Sequence, residues 1–164
     1  MRVLPLIFLL TVSLAPLRAD TLSPEKIYGG DFVAKVRSAT GAEAQRVASE
    51  YVRSQGKPTT LKVTSKGYPI KLSAESVALL KRAFLKESKA DLATKFCMPT
   101  PGIRYTFYST TGSVSILVCY HCQIALVERD GRVGEEEAYV DHVISELRKV
   151  AGSFLSADEV AKLP

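Results

Sequence analysis

Ser113-Val114-Ser115-Ile116-Leu117-Val118-Cys119-Tyr120-His121-Cys122-Gln123-Ile124-Ala125-Leu126-Val127 decides the fold class. Val114, Ile116, Val118, Tyr120, Cys122, Ile124 and Leu126 are apolar at a strict period of two. That spacing puts alternate side chains of a β-strand on one face. The run predicts one continuous extended segment over 113–127, with this face on the core. Ser115, Leu117, Cys119, His121, Gln123 and Ala125 form the other, mixed face.

Upstream, Ile103, Tyr105 and Phe107 alternate in the same way, and Ser109-Thr110-Thr111-Gly112 is of hairpin length. A turn centred near Thr110-Thr111 places Ile103 opposite Val118 and the chain before it near residues 120–124. Pro99, Pro101 and Gly102 enforce an irregular approach to that strand. Downstream, Asp130-Gly131 is a turn, and a helix is expected from about Glu135 to Phe154. Its apolar stripe is Val140, Val143, Ile144, Leu147, Val150, Ala151 and Phe154. Glu135, Glu136 and Glu137 suit its N-terminus, where the helix dipole favours negative charge. Ser156 with Glu159 has the spacing of a capping box opening a short last helix.

Nearer the N-terminus, Ser23-Pro24-Glu25 and Asp31 are expected helix caps. Phe32, Val33 and Val36 give a helix to about Ala39, stopped by Gly41. Glu43 to Tyr51 reads equally as helix or strand. Gln55-Gly56-Lys57-Pro58 is a break, Thr59 to Val63 a strand, and Lys66-Gly67-Tyr68-Pro69 a turn or loop before a short strand at Ile70 and Leu72. Ser73 caps a helix to about Lys86, with Val77, Leu80 and Phe84 on one face. Helices are mixed with strands joined by short turns. The expected class is therefore α+β, a small antiparallel sheet with helices packed on one face.

Residues 1–19 read as a cleavable signal peptide. Met1-Arg2 supplies positive charge, Val3 to Leu14 is mostly apolar, and Ala19 is a small residue at the expected cleavage point. The apolar run of about 12 residues is short of the roughly 20 needed to span a membrane. Residues 20–164 are expected to fold as a single domain that is secreted or periplasmic. The whole chain carries 22 basic and 17 acidic residues. Arg53 to Arg104 is locally basic and Glu128 to Glu146 locally acidic. No basic cluster interleaved with aromatics points to nucleic acid. The basic stretch reads either as a solvated face or as a surface for an anionic envelope partner.

Cys97, Cys119 and Cys122 are the chemically distinctive residues. An odd count in an exported chain leaves one cysteine free, metal-bound or paired between chains. Three roles are open. Cys119-Tyr120-His121-Cys122 has the spacing of a redox CxxC, with His121 beside the second cysteine. In a continuous strand, however, residues three apart lie about 10 Å from one another and point to opposite faces. A disulfide needs Cα atoms within about 7 Å. A zinc site would draw on Cys97, Cys119, Cys122 and His121, with His142 as a substitute, but has only half of the usual paired spacing. A structural bridge would join Cys97 to Cys119 or Cys122, with Cys122 nearer in the hairpin register. It would close a loop of 22–25 residues and add roughly 3 kcal/mol.

The stretch Phe96-Cys97-Met98-Pro99-Thr100-Pro101-Gly102-Ile103-Arg104-Tyr105-Thr106-Phe107, followed by Ile116-Leu117-Val118-Cys119-Tyr120-His121-Cys122, is similar to a loose set of uncharacterised exported bacterial proteins. They share a cysteine, a Pro-Gly step into a strand ending in Phe, and a second strand ending in Cys-aromatic-x-Cys. Gly67-Tyr68-Pro69 fits the same layout. The resemblance covers about residues 60–128 and implies a strand rather than a helix around Glu43 to Ala48. It also implies that the three cysteines act as a group, and it brings no activity with it. No catalytic set is recognisable. The expectation is a non-enzymatic binding or structural component of the envelope, without a cofactor and stabilised by a disulfide. The alternative is a thiol-disulfide or zinc-handling protein of the envelope.

Overall fold

Short local signals set most element ends. In the computed structural model the described residues are 21–53, 55–56, 59–89 and 97–164, without the side chains at 89, 135 and 136. The expected signal segment 1–19 and the Lys57-Pro58 part of the expected break lie outside the described residues. In chain order the elements are β1 (Thr21–Leu22), α1 (Pro24–Tyr28), α2 (Gly30–Ser38), β2 (Gly41–Val52) and β3 (Thr60–Lys71). Then come α3 (Ala74–Phe84), β4 (Ser88–Lys89), β5 (Ile103–Ser109), β6 (Gly112–Cys119), β7 (Ile124–Arg129) and β8 (Arg132–Tyr139). A 3-10 turn over Asp141–Val143 leads into α4 (Ile144–Ala151), and α5 (Ala157–Ala161) follows.

The Ser73 side chain accepts the Ser76 backbone N–H at 3.2 Å and opens α3. The box of Ser156 and Glu159 opens α5, with Glu159 accepting the Ser156 N–H at 3.0 Å. Asp130 and Gly131 both have positive φ, 51° and 73°. That backbone suits a two-residue hairpin turn, and it joins β7 to β8. Ser23 occupies the cap position of α1 without a side-chain bond. Asp31 is not a cap. It lies in the first turn of α2, where it pairs with Lys35 at 3.1 Å, and that helix closes at Ser38, ahead of Gly41.

The main sheet has six antiparallel strands in the order β3-β2-β5-β6-β7-β8, and it is curled. The short β1 and β4 pair separately. The fold is α+β with an antiparallel sheet, as expected. Ile103 pairs with Val118, the register inferred from the Thr110-Thr111 turn. Ile103, Tyr105, Phe107, Val114, Ile116, Val118, Ala125 and Val127 pack with residues of α1 to α4 into the larger core. Its centre is aromatic. Phe84 meets Tyr28, Phe32 and Phe107 edge-on, at centroid distances of 5.6, 5.9 and 6.0 Å.

Three further expectations change, and one open reading closes. Residues 113–127 are two strands joined by a turn at Tyr120 to Gln123. Val118 pairs with Ala125 and Cys119 with Ile124, so odd numbers face even ones across the pair. Ile124 and Leu126 therefore leave the face of Val114 and Ile116 and join Leu117 and Cys119 in a second apolar cluster. Both faces are apolar here, so the alternation ran through the turn without betraying it. The turn lacks Gly, Pro and Asn and is completed by Gln123 with φ 56°. Tertiary contacts hold it. Tyr120 N–H donates to Pro164 O, and Val140 N–H donates to Gln123 O at 2.9 Å.

The helix expected from Glu135 starts at Ile144, because the Asp130-Gly131 hairpin commits Arg132–Tyr139 to pairing with β7. The apolar stripe survives. Val143, Leu147, Val150 and Ala151 are buried, while the chain turns out of helix after Ala151. Lys66-Gly67-Tyr68-Pro69 is not a loop between two strands. It lies within the single strand β3, whose register jumps from Ala44/Ile70 to Arg46/Lys66. Gln45 bridges this bulge by donating to Gly67 O at 3.0 Å. Finally, Glu43 to Tyr51 is strand throughout, within β2. Its pairing with both β3 and β5 overrides the helix preference of its alanines.

Candidate functional site

Two regions on the sheet face away from the larger core concentrate chemistry. The first is the turn after β6. Cys97 and Cys122 form a disulfide with Cα atoms 5.9 Å apart. The bridge joins the irregular segment before β5 to the β6–β7 turn. Cys119 is a free, fully buried thiol. Its Sγ accepts the Cys122 backbone N–H at 3.3 Å. The continuous strand that would hold positions 119 and 122 apart is not there, and the turn brings them together. Cys97, Cys119 and Cys122 share the smaller apolar cluster with Val47, Leu117, Ile124 and Leu126.

The turn is anchored from several sides. The Tyr105 and Tyr120 hydroxyls share a 2.6 Å hydrogen bond, and Tyr120 Oη donates to Leu147 O at 3.3 Å. Burial pushes both phenols up, well out of the range in which they ionise in ordinary conditions. The irregular segment is held by Tyr51 Oη donating to Pro99 O at 3.0 Å and Ser49 Oγ to Pro101 O at 3.1 Å.

His121 is exposed, in the middle of the turn. His142 is half-buried on the 3-10 turn. Burial, with Lys86 nearby, pulls its pKa below the ordinary value. With Cys97 and Cys122 joined, the zinc set of Cys97, Cys119, Cys122 and His121 keeps one thiol. Among the described residues no group of three or more His, Cys, Asp or Glu is placed to hold a metal ion.

The second region is a cleft of about 910 Å³ between the two edges of the curled sheet. Thr59 with Thr60 to Val63 of β3 and Arg132 to Gly134 of β8 form its sides, and Arg104, Leu126 and Glu128 its floor. Arg104 on β5 and Glu128 on β7 reach across β6 to one another. Their two hydrogen bonds, Nε to Oε2 at 2.7 Å and Nη2 to Oε1 at 2.9 Å, form a bidentate pair. Arg104 Nη1 also donates to Ser65 Oγ at 3.1 Å and Gln45 Oε1 at 3.3 Å. A smaller pocket of about 340 Å³ shares Arg104, Glu128 and Gly131 with the cleft and extends it toward Glu43 and Tyr108.

Sequence reasoning singled out neither Arg104 nor Glu128. Arg104 alternates with core residues in Ile103-Arg104-Tyr105, and Glu128 ends the apolar run of β7. The available signal was a charge alternating with core residues at Arg104, and at Glu128 a charge in line with the apolar Ile124 and Leu126. Compared with family models, curated proteins and solved structures, the chain matches none.

Proposed function

We propose that this is an exported binding domain of the cell envelope, and that an amphiphilic anion lies in the cleft between β3 and β8. The cleft itself carries this reading. Its volume falls in the range of about 300–1,000 Å³ common for small-ligand sites. Tyr51, Leu61, Val63, Leu126 and Val133 line it with apolar surface, and Lys62 and Arg132 stand on opposite edges. Lys62, Lys66 and Lys71 are exposed along β3, within the basic stretch of the sequence. Arg104 and Glu128 satisfy one another on the floor, which suits fixed recognition better than proton transfer. The Cys97–Cys122 bridge secures the segment that Tyr51, a rim residue, is bonded to. Export rests on residues 1–19, and no described helix is long and apolar enough to cross a membrane.

The test is an amide-shift titration of residues 20–164 with dodecanoate below its micelle concentration. Saturable shifts confined to residues 51, 59–63, 126 and 131–134 are expected. Arg132→Glu should weaken them several-fold. No saturable shifts, or shifts on α2 and α3, would overturn the reading.

A further inference from the structure

Cys119 has no solvent exposure, and its sulfur sits 3.3 Å from the backbone nitrogen of Cys122. Cys122 is already in a disulfide. A tight turn brings residues three apart to within about 7 Å, the Cα separation a disulfide can span. So the half-cystine Cys122 has two partners in reach, Cys97 across the sheet surface and Cys119 at the start of its own turn. Cys97 is half-buried, and its neighbour Met98 is 62% exposed. A thiol released at Cys97 therefore lies next to solvent, whereas the thiol at Cys119 is shut in by Leu117, Ile124 and Leu126.

We propose that Cys97, Cys119 and Cys122 form an internal thiol-disulfide exchange site. The Cys97–Cys122 disulfide with a Cys119 thiol interconverts there with a Cys119–Cys122 disulfide and a Cys97 thiol. In the forward step the Cys119 thiol gives up its proton and its sulfur attacks Cys122 Sγ. The Cys119–Cys122 bond forms as the Cys97–Cys122 bond breaks. The electron pair of the broken bond goes to the Cys97 sulfur, which takes up a proton. Nothing is oxidised or reduced overall, so no co-reactant is needed. The buried thiol acts as the store and Cys97 as the exchange position presented at the surface. In the rearranged state the segment 97–102 keeps its hydrogen bonds to Ser49 and Tyr51 but loses its covalent tether.

Slow trapping of the folded chain by N-ethylmaleimide tests this directly, without reductant, with an acid quench and peptide mapping. Label should accumulate on Cys97, with a Cys119–Cys122 disulfide in the same molecules. Label on Cys119 alone, or no label over a day, overturns the proposal. In Cys119→Ala the Cys97 label should be lost, and its persistence there also overturns the proposal. A second variant, Cys97→Ala, should form the Cys119–Cys122 disulfide in a glutathione redox buffer. Two free thiols in that buffer would count against the exchange. Neither readout depends on ligand binding in the cleft, so the two proposals fail separately.

Discussion

Replacing Arg104 with alanine would strip the Glu128 carboxylate of both its bonds while leaving it in place. Glu128 is 8% exposed, and a charge held away from water without its partner is costly. The expected loss is about 3 kcal/mol of unfolding free energy, read as a lower midpoint in urea. Arg104→Met combined with Glu128→Leu removes both charges and keeps the bulk, so it should cost less than Arg104→Ala alone. If the double variant is the less stable of the two, the pair itself is a net source of stability. This pair was legible only in part. Arg104 sits on the expected polar side of its strand, whereas Glu128 continues the even-numbered face of Ile124 and Leu126, which was expected on the core. That the two meet depends on β5 and β7 flanking the same strand, which pairing decides.

At the scale of elements, the hairpin turns differ in how openly the chain declares them. Asp130-Gly131 supplies two residues that tolerate positive φ, and the Thr110-Thr111 turn ends on a glycine with φ 115°. Tyr120 to Gln123 offers no such residue, and its conformation is held by the disulfide, Pro164 and Val140. Reducing the Cys97–Cys122 bridge, which spans 25 residues, should lower stability by about 3 kcal/mol on the chain-entropy account. Guanidinium unfolding with and without reductant measures it, and an unchanged midpoint would mean the turn is held by packing alone. The bulge at Gly67 to Pro69 has a similar origin. Gly and Pro together read as a loop, but the partner strand and the Gln45 side chain carry the pairing past them.

Across the whole molecule, two apolar clusters lie on either side of the sheet, and they differ in size. The larger one centres on Phe84, fully buried among Tyr28, Phe32 and Phe107. Phe84→Ala should cost about 3–5 kcal/mol, from lost burial and the cavity left behind, and thermal unfolding would show it. A loss below 1 kcal/mol would mean that α3 is not part of the cooperative unit.

The sequence alone determined the α+β class, the helical faces around Phe32 and Leu80, the Asp130-Gly131 turn and the Ile103–Val118 register. Each of these rests on side-chain periodicity or on backbone preferences over a few residues, and such signals are local. The tertiary structure alone decided where residues 113–127 reverse and that Arg104 meets Glu128 in a cleft, and it closed two readings left open, with Glu43 to Tyr51 extended and Cys122, the nearer candidate, bridged to Cys97. Those outcomes depend on which strands lie side by side, and pairing energy is shared between segments far apart in the chain, so no stretch read by itself contains it.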